Sequence, residues 1–241
     1  MSKGNTRAAA DDDHRGDRLL NTAIIVAAGS GSRFSGEIPK QFVELTGKPI
    51  IVHTLEKFQA CPVVDEIILV LSGDGREFFE KAGRSFDKLS KIVTGGATRA
   101  ESVKNGLDAI DTDCEIVAVH DGARPLVTVD EITRTIEKAV EASAACLVAE
   151  VTDTVKQVEK GLIKRTVDRA TLRRALTPQA FRYDILRRAF ERADLDGSIT
   201  DECYLVEKLG KEIACVEGSS RNIKITREDD LVIAEAFLRK E

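Results

Sequence analysis

A chain of 241 residues with 42% hydrophobic content can bury one sizeable α/β core, alone or with an appendage. Its formal net charge of −5 argues against a nucleic-acid binder, and no apolar run approaches the ~18 residues of a membrane span. The five cysteines are scattered and form no Cys-x-x-Cys pair, which disfavours a zinc site and a disulfide framework and suits a soluble protein in the reducing cytoplasm.

Residues 1–21 are polar, charged and aperiodic, with Asp11-Asp12-Asp13 and no apolar signal core. They are expected to form a disordered tail ahead of a single domain over residues 22–241. The apolar run Ala23-Ile24-Ile25-Val26 reads as a buried parallel strand. It leads into Ala27-Ala28-Gly29-Ser30-Gly31-Ser32, a loop of small residues whose amides can cradle phosphate oxygens, and Arg33 and Lys40 set two cations beside it. Two familiar phosphate loops fail here. A dinucleotide fingerprint needs glycine where Phe34 stands, and a Walker loop needs Lys-Ser/Thr where Glu37-Ile38 stands.

Pro49 can open a helix carrying Ile51, Leu55 and Phe58, with His53 a structural residue on it. Glu66–Leu71 and Lys91–Thr94 read as strands separated by a helix over Arg76–Ala82, an alternation that implies a doubly wound, mostly parallel sheet of Rossmann-like type. Gly95-Gly96 then enters a helix, and helical spacing puts Arg99 and Ser102, or Ser102 and Val103 with Gly106, near one end of it. After the strand Ile116–Val119 comes His120-Asp121-Gly122-Ala123-Arg124, at the edge where open α/β sheets bind ligands. Asp121 is a hard oxygen donor suited to Mg2+, and the fork of Arg124 suits a phosphate.

A helix over Ile132–Ala142 and a strand over Ala145–Ala149 continue the alternation, which then breaks. Residues 152–159 and 162–167 are two β-type runs around Lys160-Gly161, a polar hairpin too small to be stable uncovered. Ala175–Gln179 reads as a tight segment before a helix over Tyr183–Ala193, and Thr200 or Asp201 caps a further helix. In Arg221–Thr226, strand-like alternation would point Lys224 away from Ile223 and Ile225, ahead of a last helix over Glu228–Leu238.

Ala-Ala-Gly-x-Gly-x-Arg followed by Pro-Lys-Gln resembles the cytidylyltransferases of isoprenoid precursor synthesis, which join CTP to 2-C-methyl-D-erythritol 4-phosphate. The Gly-Gly…Arg-x-x-Ser-Val, His-Asp-Gly-Ala-Arg, Thr-Pro-Gln and Asn-Ile-Lys-x-Thr segments extend the resemblance over about residues 22–240. It implies that Gly96, Arg99 and Ser102 line the nucleotide pocket, with Ser102 near the base. It also implies that the arm at 152–169 crosses into a second subunit of a homodimer, carrying Thr154 and Arg169 to the partner's site. Family members commonly have Ala where Gly122 stands, an exchange expected to matter little, and often an aromatic residue near Leu172-Arg173-Arg174.

On this resemblance Arg33 and Lys40 serve the triphosphate and transition state, Asp121 serves Mg2+, and Arg124, Thr154, Arg169, Thr177 and Lys224 position the acceptor. The cytosine is read by backbone groups of Ala27 to Gly29. A phosphate monoester is largely dianionic at neutral pH and needs no general base, in keeping with the lack of a catalytic-looking histidine. Two rivals are a CTP-dependent enzyme for another polyol phosphate, such as ribitol 5-phosphate, and a silent nucleotide-binding or scaffolding homologue. The silent homologue has no need of Arg33, Lys40, Asp121 and Lys224 together.

Overall fold

The first strand, β1 (Leu20–Ala27), sends Ala23, Ile25 and Ala27 into one core and Ile24 into another. A strand buried on both faces needs a continuous apolar run rather than alternation. A computed structural model of the chain describes residues 19–29, 34, 38–111, 113–195 and 199–239. Most of the expected tail therefore lies outside the described residues, while Leu20 and Asn21 belong to the sheet.

A 3-10 turn at Lys40–Phe42 and a short hairpin of β2 (Glu44–Leu45) and β3 (Lys48–Pro49) lead into α1 (Ile50–Ala60), with Pro49 at its N-cap. Then come β4 (Glu66–Leu71), α2 (Gly73–Lys81), β5 (Leu89–Thr94), α3 (Arg99–Asp108), β6 (Cys114–Asp121), α4 (Val129–Ala142) and β7 (Ala144–Glu150). The hairpin β8 (Val155–Glu159) and β9 (Leu162–Val167) follows. The chain ends with β10 (Arg173–Arg182), α5 (Tyr183–Glu191), α6 (Glu202–Lys208), β11 (Ala214–Glu217) and α7 (Glu228–Leu238).

Seven strands form one sheet in the order β11-β7-β10-β6-β1-β4-β5, parallel except for β10, which runs antiparallel to both neighbours. On one face α1, α2 and α4 bury Ile51, Leu55, Phe58, Phe79, Ile132 and Ile136. On the other, α3, α5 and α6 bury Val103, Leu107, Leu186, Phe190 and Val206. Covering both faces makes the α/β sheet doubly wound, as the alternation predicts. Truncating fully buried Phe58 to Ala would cost about 3–5 kcal/mol.

Two local expectations are corrected. Ala175–Gln179 is not a separate tight segment but the middle of β10, buried from Leu176 onward, with Ala175 paired to β7 and Gln179 to both β6 and β7. Thr177-Pro178 is a cis peptide inside it, and the β7 register shifts between Ala175 and Gln179. Residues 221–226 form no strand. Ile225 instead donates its amide to Ala123 O at 2.8 Å and is fully buried, while Lys224 reaches Asp121 at the end of β6.

The hairpin turns at Lys160 (φ 48°) and Gly161 (φ 78°), both left-handed, as a two-residue hairpin loop requires. Its strands pair only with each other, and Val158, Leu162 and Ile163 are more than half exposed.

Candidate active site

A cavity of about 370 Å3 opens at the carboxyl ends of β1 and β6, where Ala28 and Gly29, the start of α3 and the segment around Lys224 converge. Ala27, Ala28 and Gly29 form one wall, Gly96, Arg99 and Ser102 another, and Lys40, Asp121 and Lys224 complete it. The walls meet closely. A Cβ on Gly95 would lie 2.3 Å from Ala28 Cβ and 2.7 Å from Ser102 Oγ, so only glycine lets the two loops touch.

Thr98 and Glu101 form a capping box that sets the first turn of α3 against the cavity. The positive end of that helix favours an anion there. Ser102 Oγ accepts from the Gly96 amide at 3.1 Å and donates to Thr98 O at 2.9 Å, so its proton is committed to holding the loop. Gln41 Nε2 donates to Ala27 O at 2.7 Å and pins the end of β1. Lys40 Nζ donates to Ile225 O at 3.2 Å.

The charged centre is Asp121. Its Oδ1 accepts from Arg99 Nε at 2.9 Å, and its Oδ2 lies 2.9 Å from Lys224 Nζ and 3.5 Å from Arg124 Nε. Burial pushes the Asp121 carboxyl pKa up, but Arg99, Lys224 and Arg124 outweigh it and hold the group well below the usual carboxylate range. Asp121 is therefore ionised at any working pH. Arg99 turns its remaining nitrogens to Glu202, at 2.6 and 3.1 Å. Burial would lower the Arg99 pKa, but Glu202 and Asp121 together raise it above its ordinary value.

Behind the carboxylate, His120 is fully buried. Its Nε2 sits 3.2 Å from Arg124 O, which can only accept, so Nε2 carries the proton and Nδ1 is bare. Thr177 Oγ1, 3.0 Å from Nδ1, must donate to it while accepting from the Asp121 amide at 3.2 Å. Burial pushes His120 down to about 3, so it stays neutral and cannot shuttle protons. Arg124 Nη1 donates to Asn222 O at 2.8 Å, and Asn222 Nδ2 donates to Thr177 O at 3.0 Å.

Of the residues singled out in the sequence, Ala27, Ala28, Gly29, Lys40, Gly96, Arg99, Ser102, Asp121 and Lys224 line one cavity. Arg124 and Thr177 adjoin it through Asp121. Ser30, Gly31, Ser32 and Arg33 lie outside the described residues. Thr154 and Arg169 are exposed and do not line this cavity; Arg169 bonds Thr152 O and borders a second hollow with Glu150, Asp168 and Arg173. Thr177, expected on the acceptor, spends its hydroxyl proton on His120. At Gly122 a Cβ would lie 2.7 Å from Ile51 Cδ1 and 2.9 Å from Ala27 Cβ, so an exchange to Ala requires these neighbours to shift. Sequence reasoning missed Glu202, Asn222 and the tie made by Gln41. An acidic residue in a first helical turn looks like ordinary dipole matching, and nothing local marks Glu202 as a partner of Arg99.

Among the described residues no group of three or more His, Cys, Asp or Glu side chains could hold a metal ion, and no helix is long and apolar enough to cross a membrane. Among the described residues Asp121 is the one acidic side chain that lines the cavity, and it is ionised. That donor set fits a Mg2+ arriving with a nucleotide, since this ion accepts one carboxylate beside phosphate oxygens and water.

Residues 21–240 match the family model described as 2-C-methyl-D-erythritol 4-phosphate cytidylyltransferase. A protein of that name from Geobacter metallireducens is 42% identical over 226 residues, covering 91% of this chain and 97% of the relative. The crystal structure of 4-diphosphocytidyl-2C-methyl-D-erythritol synthase from Anaerococcus prevotii superposes with a TM-score of 0.83 at 30% identity, covering 92% of this chain and 100% of that one. The 2-C-methyl-D-erythritol 4-phosphate cytidylyltransferase of Francisella tularensis superposes with a TM-score of 0.76 at 36% identity, covering 90% of this chain and 99% of that one. With the fold, the nucleotide-sized cavity and the matched motifs agreeing along its length, the chain belongs to the 2-C-methyl-D-erythritol 4-phosphate cytidylyltransferase family.

Proposed function

We propose that this protein joins CTP and 2-C-methyl-D-erythritol 4-phosphate to give 4-diphosphocytidyl-2-C-methyl-D-erythritol and pyrophosphate, in the cytoplasmic non-mevalonate route to isoprenoids. The observation that carries the reading is Asp121 gripped by Arg99 and Lys224 on the floor of a cavity walled by the small-residue loop. An oxygen of the acceptor phosphate attacks the α-phosphorus of CTP, the bond to the β-phosphate oxygen breaks, and pyrophosphate departs. A dianionic acceptor needs no base, and neutral, buried His120 offers none.

Lys40 and Lys224, with Arg33 of the loop, offset the charge gathering at the transferring phosphoryl group. Asp121 would hold a Mg2+ that arrives with the nucleotide, and the ion would supply further charge neutralisation. Arg124 faces the acceptor phosphate. Thr154 and Arg169 reach it from a second copy of the chain through exchanged hairpins, a reading supported by the exposed Val158, Leu162 and Ile163 and by a cavity lining that includes neither residue.

The test is pyrophosphate release from CTP with 2-C-methyl-D-erythritol 4-phosphate and with D-ribitol 5-phosphate, each with and without excess EDTA. Turnover with the first acceptor, abolished by EDTA and nearly abolished in Asp121→Asn, is expected. Preference for the second acceptor makes the protein a different polyol-phosphate enzyme, and no turnover with either makes it a silent homologue.

A further inference from the structure

We infer that Glu202 is a positioning residue for the transfer reaction: acting through Arg99, it keeps one oxygen of Asp121 available to Lys224. The inference rests on the cytidylyltransferase reading above and concerns a residue that lies behind Arg99 and does not itself line the cavity.

Glu202 has no solvent exposure, and both its oxygens are taken by the two terminal nitrogens of Arg99. Only Nε of that guanidinium is left, and it meets Asp121 Oδ1. Asp121 Oδ2 is thereby left to Lys224. An arginine fork with a single carboxylate partner favours two parallel bonds to it. Without the Glu202 charge, Arg99 would turn its fork onto Asp121, claim both oxygens and release Lys224. Glu202 thus keeps Arg99 on one carboxylate oxygen and leaves the other to Lys224, with Arg124 Nε 3.5 Å from the same oxygen.

The placement of Glu202 is itself built into the site. It lies in the first turn of α6, whose N-cap Asp201 holds the Tyr204 amide with one oxygen and accepts from Gln179 Nε2 at 2.9 Å with the other. Gln179 Oε1 in turn accepts from the Cys203 amide at 3.1 Å. Gln179 stands two residues beyond Thr177, whose hydroxyl holds the Asp121 amide. One strand, β10, therefore fixes both the backbone of Asp121 and the helix end that carries Glu202.

Charge and shape give opposite predictions for two variants. Glu202→Gln keeps the shape and loses the charge; Glu202→Asp keeps the charge and loses a methylene. For the positioning role, kcat falls at least about tenfold in Glu202→Gln with KM for CTP within about threefold of wild type, and Glu202→Asp retains more kcat than Glu202→Gln. The CTP-induced shift in melting temperature stays as in wild type for both. The reverse order, an active Gln variant and an impaired Asp variant, makes Glu202 a packing residue and overturns the inference. If Glu202→Gln does not fold, Glu202→Asp decides alone: kcat above about one tenth of wild type supports the role and a lower value overturns it. Wild-type turnover in the same assay separates the two levels, because an inactive wild type defeats the cytidylyltransferase reading itself.

Discussion

Lys224 Nζ lies 2.9 Å from Asp121 Oδ2, so a residue close to the last helix completes a centre begun at the end of β6. The lysine side chain is 35% exposed and the carboxylate 9%, so the pair sits at the cavity wall with a flexible cation on its open side. The partly exposed lysine keeps the pair's contribution to stability to about 1 kcal/mol. Its value is chemical. Lys224→Met is expected to lower kcat/KM by about a hundredfold or more while the melting temperature moves by no more than a few degrees. Steady-state kinetics beside differential scanning fluorimetry checks this; a variant as active as wild type removes Lys224 from the reaction.

Gly122 limits what the end of β6 can become. A methyl group there would press on Ile51 Cδ1, which can shift, and on Ala27 Cβ, which cannot move without the strand. Gly122→Ala is expected to destabilise the fold by about 1–3 kcal/mol. Urea denaturation measures it, and an unchanged midpoint would show that α1 relaxes freely.

His53 gives the fold a dependence on acid. Burial lowers its pKa from the ordinary 6.5, and its Nε2 hydrogen is given to Leu45 O at 2.7 Å. Below pH 6.5 the unfolded chain binds a proton here before the folded chain does, so stability falls as pH falls through that range. The slope from this one group cannot exceed about 1.4 kcal/mol per pH unit. Unfolding free energies at pH 7 and pH 5 should therefore drop less in His53→Gln than in wild type; equal drops would assign the effect elsewhere.

The hairpin can be tested by mixing. Chains carrying Arg169→Ala and chains carrying Lys40→Ala are each expected to be inactive. With exchanged arms, a mixed dimer has one site with both defects and one with neither, so about half of full activity per mixed dimer returns on subunit exchange. A dead mixture, with mixed dimers demonstrated by native mass spectrometry, puts the hairpin over its own subunit.

The doubly wound sheet was legible because β1, β4 and β6 are continuous apolar runs and the helices between them carry spaced apolar residues. The cavity was legible because its parts follow strand ends, where Gly95, Asp121 and the small-residue loop stand in recognisable order. β10 was not, since Thr177-Pro178-Gln179 looks like a turn and its place in the sheet depends on β6 and β7, which are distant in sequence. Glu202 was hidden for another reason. Its partner Arg99 is 103 residues away, and a long-range ion pair leaves no periodic trace.

The late insertion of β10 bears on how the chain is made. When residue 150 has left the ribosome, β5, β4, β1 and β6 can already pair, but β6 ends in an open edge and β7 has no strand beside it. Both lack a partner until the hairpin has been synthesised and Arg173–Arg182 slides between them. Throughout that interval the nascent protein displays the open edge of β6 and both edges of β7, the kind of surface that invites pairing with other chains. Substitutions that delay β10 should therefore reduce soluble yield during synthesis well before they alter the stability of the finished protein.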